Sequence, residues 1–145
     1  MRVTLGLRGD YAVRAMLALA GVEGDRRPVS VRWISERMAI PVRFLPHVMT
    51  DLSRAGLVVG SPGRNGGYRL GRPACEINVL EVVDAVETEP EAPRCVLRGG
   101  PCRADGRCAV HDVFFAASEA MRTELSRQSL ADIAGPGGIG ALTTR

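Results

Sequence analysis

The sequence predicts a mainly α-helical fold that carries one small β-wing and ends in a long helix. Three observations predict it. Apolar side chains recur at helical intervals in several separate segments. Two short β-prone runs flank an Asn65-Gly66 turn signal. The last periodic segment is the longest, and its apolar stripe has no obvious partner left in so short a chain.

Residues 10–20 place Val13, Met16, Leu17 and Ala20 on one face with Arg14 off it, which predicts a first helix. Gly21 to Pro28 is a polar break. Ser30 is positioned to cap a short second helix that turns Ile34 and Met38 inward. That helix stops near Ile40-Pro41, because the residue before a proline is pushed out of the α region. A third helix buries Leu45, Val48, Met49 and Leu52, ends at Gly56, and presents Arg43, His47, Thr50 and Arg54 away from that stripe. Pro46 requires either a later start or a distorted first turn, since proline removes a backbone donor.

Leu57 to Gly60 and Tyr68 to Leu70 are the strand candidates, and Asn65-Gly66 predicts a tight turn because both residues tolerate positive φ. Two short helices with a hairpin behind them make a winged helix-turn-helix. A fourth helix follows at 77–86, with Val79, Leu80, Val83 and Val86 at helical intervals. Thr88 to Arg107 is interrupted by Pro and Gly and reads as a loop. Val110, Val113, Phe114, Ala117, Met121 and Leu125 then form the long stripe, for which the natural partner is the same stripe of a second copy in a homodimer. The expected organisation is a winged helix-turn-helix domain at 1–87, a cysteine-rich loop at 88–109, a dimerisation helix and short terminal helix at 110–134, and a flexible tail at 135–145.

A chain of 145 residues is one domain's worth of sequence. It has no apolar run long enough for a bilayer and no signal-peptide pattern, so a cytoplasmic protein without a membrane partner is expected. The formal charge of +3 does not by itself identify a polyanionic partner, but the charge is segmented. Pro41 to Arg72 holds five Arg against the one acid Asp51, whereas Pro73 to Pro93 holds six acids and no base. The basic segment coincides with the helix-turn-helix and wing, and an α-helix fits the DNA major groove while a basic hairpin reaches phosphates beside it. The expected partner is a double-stranded DNA operator. Arg43 and His47 are the leading contacts from the recognition helix, with Thr50 and Arg54 on the same side. Arg64, Asn65 and Arg69 are the wing candidates, Arg64 because a guanidinium forks onto phosphate oxygens and its Gly neighbours allow close approach.

Cys95, Cys102 and Cys108 lie within fourteen residues, on a segment rich in turn formers and beside Arg94, Arg98, Arg103 and Arg107. Neighbouring guanidinium groups favour thiolates, and soft thiolates select iron-sulfur clusters or zinc. Spacing alone leaves open a zinc site made by the three Cys with His111. Cys75 stands apart and is expected to be a small buried residue. There is no nucleophile-base pairing, no Cys-x-x-Cys and no nucleotide loop, so an enzyme is not expected.

Taken together, several segments resemble the Rrf2 family of IscR/NsrR-type winged-helix regulators, over nearly the whole chain from Met1 to about Ala134. They are Met1-Arg2-Val3-Thr4, Gly9-Asp10-Tyr11-Ala12-Val13-Arg14-Ala15, Leu52-Ser53-Arg54-Ala55-Gly56-Leu57-Val58, Gly63-Arg64-Asn65-Gly66-Gly67-Tyr68-Arg69-Leu70-Gly71 and the cysteine triplet. The resemblance implies a homodimeric, cytoplasmic DNA-binding regulator, a repressor, whose three cysteines hold a [4Fe-4S] or [2Fe-2S] cluster that senses nitric oxide, redox or iron-sulfur status. No small-molecule substrate beyond such signals is implied. It also implies a fourth, non-cysteine ligand. His111 matches the histidine of one branch and Asp10 the aspartate of another, supplied from the partner subunit; Asp10 is preferred for a [4Fe-4S] form. Pro46 and His47 replace a Glu-Gln type pair that some members use to read bases, so no operator sequence carries over. The gap between Cys95 and Cys102 is slightly long beside some members, which leaves the cluster type open.

Overall fold

The computed structural model describes residues 3–88, 95–97 and 108–135. Helix α1 (Leu7–Ala20) is its centre: α2, α3, α4, α6 and the second wing strand all pack on it. It therefore buries Tyr11, Ala12, Ala15, Met16, Leu17, Ala18 and Leu19, a wider arc than the single stripe the periodicity predicts. Val13 and Ala20 are only partly buried, and the alanines let neighbouring helices come close.

Helix α2 (Val31–Met38) starts as its cap chemistry dictates, with Ser30 Oγ accepting from the Trp33 N–H at 3.1 Å. It buries Ile34 and Met38 and ends at Ala39, which takes a left-handed φ of 51°. A 3-10 turn at Val42–Phe44 leads into α3 (Leu45–Arg54), which buries the predicted Leu45, Val48, Met49 and Leu52. Pro46 falls in the first turn of α3, where backbone N–H groups have no intrahelical acceptor in any case. The helix thus begins after Arg43, and the proline removes no intrahelical hydrogen bond from it.

Strands β1 (Val58–Ser61) and β2 (Gly67–Leu70) pair antiparallel, from Val58↔Leu70 at the root to Ser61↔Gly67 at the tip. Val29 adds one bridge, exchanging hydrogen bonds of 2.9 and 2.8 Å with Tyr68. Pairing runs one residue further than expected on each strand, to Ser61 and Gly67, and the tight turn is centred on Arg64-Asn65, closed by the Gly66 N–H to the Gly63 carbonyl; positive φ falls on Gly63 (98°) and Gly67 (146°) rather than on Asn65. Gly67 has a further reason to be glycine: a Cβ there would sit 2.1 Å from the Val29 carbonyl oxygen.

A 3-10 turn at Ala74–Glu76 precedes α4 (Val79–Val86). Ala74 is buried in that turn while Cys75 faces outward, which corrects the expected burial of this thiol. In α4 it is Val82, with Val79, Val83 and Val86, that is buried, and Leu80 is only half-buried. A capping box opens the helix: the Glu81 N–H donates to Asn78 Oδ1 and the Asn78 N–H to a Glu81 carboxylate oxygen, both at 3.0 Å. Partial burial disfavours the charged Glu81 carboxylate, but the Asn78 amide and the Arg72 guanidinium outweigh it and hold the group below its usual range.

Helix α5 (His111–Arg127) lies against α4, tied there by Arg122, whose guanidinium donates to both Asp84 oxygens at 3.1 and 3.0 Å. None of its residues is buried. Helix α6 (Leu130–Ala134), capped by Ser129 and Asp132, returns to α1 and inserts Leu130 fully into the core. Hydrogen bonds from two Ser129 groups lower the Asp132 carboxyl below its usual range. No helix among the described residues is long and apolar enough to cross a membrane. Most of the expected loop at 88–109, and the expected tail after Gly135, lie outside the described residues.

Candidate nucleic-acid interface and cluster-ligand residues

The recognition helix is amphipathic. Leu45, Val48, Met49 and Leu52 point into the core, so His47, Thr50 and Arg54 are left on the exposed side at helical spacing. Thr50 Oγ1 donates to the Pro46 carbonyl at 2.8 Å, which fixes its rotamer. Arg54 is largely exposed and lies 3.8 Å from Asp51, which also pairs with Arg8 of α1. One carboxylate therefore ties the centre of the fold to the recognition helix and tempers the charge of its last turn. Arg43 is not on α3: it sits in the preceding 3-10 turn with its guanidinium stacked 4.8 Å from the Phe44 ring. At the wing tip, Arg64 and Asn65 are exposed on a turn closed by the Gly66 N–H to Gly63 carbonyl bond of 3.1 Å. Arg69 is exposed on β2. None of Arg43, Arg64 and Arg69 has an ion-pair partner among the described residues.

The expected cluster ligands are distributed differently. Cys95 is buried and Cys108 half-buried, while Cys102 lies outside the described residues. Cys108 and His111 share one turn at the start of α5, where the His111 N–H donates to the Cys108 carbonyl at 2.9 Å. The His111 ring stacks on Phe115, with centroids 6.3 Å apart. Asp10 is on α1, half-exposed and paired with Arg14. Among the described residues, no three His, Cys, Asp or Glu side chains gather as a metal site.

Arg14 is the residue that sequence reasoning undervalued. Besides Asp10 it donates to the Met38 carbonyl at 2.8 Å, at the end of α2, and its guanidinium lies 5.2 Å from the Tyr11 ring. Its buried Nε has no hydrogen-bond partner among the described residues. The four-residue spacing from Asp10 was the readable signal for half of this arrangement. The contact to α2 is a tertiary one that periodicity does not encode.

An amphipathic recognition helix and a basic wing mounted on a helical core define a winged helix-turn-helix fold, the architecture of DNA-binding regulators. The Rrf2 family, described as "Iron-dependent Transcriptional regulator", matches residues 5–136, and the chain belongs to that family. It is 36% identical over 144 residues to the HTH-type transcriptional regulator IscR of Photorhabdus laumondii, covering 93% of this chain and 85% of that protein. Against the protein of the same name from Escherichia coli O1:K1 / APEC it is 35% identical over 133 residues, 92% of this chain and 80% of the relative. Among solved structures, T. potens IscR superposes with a TM-score of 0.70 at 27% identity, covering 90% and 85% of the two chains. CymR, the global cysteine regulator of B. subtilis, superposes with a TM-score of 0.75 at 24% identity over 91% and 96%, which speaks to the fold.

Proposed function

We propose that the chain is a homodimeric, operator-binding repressor whose DNA affinity is controlled by an iron-sulfur cluster held by Cys95, Cys102 and Cys108, with Asp10 or His111 as the fourth ligand. The observation that carries the reading is the junction at the start of α5. The Cys108–His111 turn leads straight into a helix whose apolar side chains Val113, Phe114 and Met121 are 68%, 42% and 42% exposed. A thiol segment is thereby joined to the face best suited to a second protomer. The donor set suits the group: thiolates are the ligands that iron-sulfur chemistry selects, and a carboxylate or imidazole completes it. When bound, the cluster would supply a centre reactive toward nitric oxide, oxidants or changes in iron-sulfur supply.

The chain's own residues account for the rest. His47, Thr50 and Arg54 face outward from α3, Arg43 is exposed just before it, and Arg64, Asn65 and Arg69 are exposed on the wing, so these side chains are available to base edges and phosphates. Asp10, through Arg14, is linked to the carbonyl at the end of α2, so a change of partner at Asp10 is felt at the helix-turn-helix. Titrating operator DNA with holo and apo protein at one salt concentration tests the reading. A difference of at least about fivefold, the lower end of ordinary coupling, is expected, and equal affinities would remove the switch.

A second reading, a zinc-stabilised or cluster-free regulator with thiol-based sensing, is favoured by the burial of Cys95 and the engagement of Asp10 by Arg14. It predicts a colourless protein that carries zinc or no metal, without iron or sulfide, and still binds operator.

A further inference from the structure

At the root of the wing the fold leaves a groove of about 550 Å³ between the 21–28 loop and the segment that leaves β2. Leu19, Val22 and Leu70 give it an apolar floor, and Arg26, Arg27, Arg69 and Arg72 line it. The acid in the lining, Glu23, is already engaged, accepting from the Ala74 N–H at 2.9 Å. Arg72 is fixed by Glu81 at 2.7 Å. Arg26, Arg27 and Arg69 have no ion-pair partner among the described residues. Arg26 is also held at a φ of 52°, a conformation that non-glycine residues seldom take. Three guanidinium groups without an ion-pair partner, Arg26, Arg27 and Arg69, outnumber the one lining carboxylate, Glu23, so the concavity is net positive.

We propose that this groove binds a small, multiply charged oxyanion of the phosphate-ester or pyrophosphate class as an effector. Guanidinium forks match phosphate oxygens in pairs, and the apolar floor gives room to the uncharged part of an ester. DNA phosphates share this chemistry and Arg69 belongs to both surfaces, but Arg26, Arg27 and Arg72 lie away from the wing tip. The groove lies at the Val58↔Leu70 end of the hairpin, whereas Arg64 lies beyond the Ser61↔Gly67 end. An occupant would bridge the 21–28 loop to β2, and so bear on how the wing is held. The inference goes beyond the operator-binding reading and does not depend on the cluster.

The test compares full-length wild type with R26N/R27A, in which Asn retains tolerance of the left-handed backbone at 26. R27A alone serves as a second variant free of any backbone effect. Sodium pyrophosphate is titrated against sodium chloride at matched ionic strength, following thermal unfolding and heat of binding, with metal content measured before and after. At about ten times its Kd, pyrophosphate is expected to raise the wild-type Tm by about 3–6 °C beyond the chloride control. Both variants are expected to bind it at least about tenfold more weakly, since each loses a charge-assisted contact. Equal responses to the two salts, or equal pyrophosphate affinity in wild type and variants, would overturn the site. A salt-dependence series of operator binding separates the sources of phosphate. If R26N/R27A flattens that slope while pyrophosphate shows no specific effect, these arginines serve the DNA backbone and the effector site is wrong.

Discussion

The exposed stripe of α5 makes a quantitative claim about assembly. Phe114 and Met121 are each 42% exposed, so together they leave a little less than one complete apolar side chain in water. Full burial of such a side chain is worth about 1.5–3 kcal/mol, which gives about 1.3–2.5 kcal/mol for this pair. In a twofold interface every residue is used twice, so a dimer built on this face would gain about 2.5–5 kcal/mol from them. The substitution F114A/M121A should therefore raise the dimer dissociation constant by roughly two to three and a half powers of ten. The protomer should survive, because no residue of α5 belongs to its buried core. Sedimentation equilibrium across a concentration series reads the constant, and circular dichroism verifies the fold. An unchanged constant in a folded variant would refute the assignment of this face to a second copy.

Other consequences follow from single contacts. Arg64→Ala should weaken operator binding across all sequences and lower the salt slope by about 1 per protomer, measured by operator titration between low and physiological salt. Gly67→Ala should destabilise the fold by about 1–3 kcal/mol in urea unfolding, because its Cβ would press 2.1 Å from the Val29 carbonyl oxygen at a φ of 146°. Asn78→Ala should cost about 1 kcal/mol by the same measurement, through loss of the α4 capping box. Because the Glu81 pKa is lowered from 4.5 on folding, its carboxylate stabilises the native state above that value and loses the contribution as pH falls below it. The stability difference between wild type and Glu81→Gln should accordingly shrink between about pH 4.5 and the acid limit, and a constant difference would contradict the pairing.

Where an element buries a single stripe and leaves the opposite side exposed, the sequence was a sufficient guide. The stripe of α3 and the Ser30 cap of α2 were both legible, because period and cap chemistry are local. Central elements were less legible. Helix α1 is enclosed by several partners, so Tyr11, Ala12, Ala15 and Leu19 are buried outside the predicted stripe. The Asn65-Gly66 dipeptide is a strong local signal, yet the Val29 bridge and the Ser61↔Gly67 end of the ladder moved the left-handed positions to Gly63 and Gly67. On the candidate site, the outward face of the recognition helix could be read directly, while the Arg14 link to α2 could not, since it joins residues far apart in the chain.

The account rests most heavily on the three thiols sharing one inorganic centre. Anaerobic purification followed by visible absorption, with iron and acid-labile sulfide counted per chain, tests this most directly. The account predicts a coloured protein with iron and sulfide in equal amounts, both lost in Cys102→Ser. A colourless protein that carries zinc, or no metal, with no change on that substitution, would contradict it.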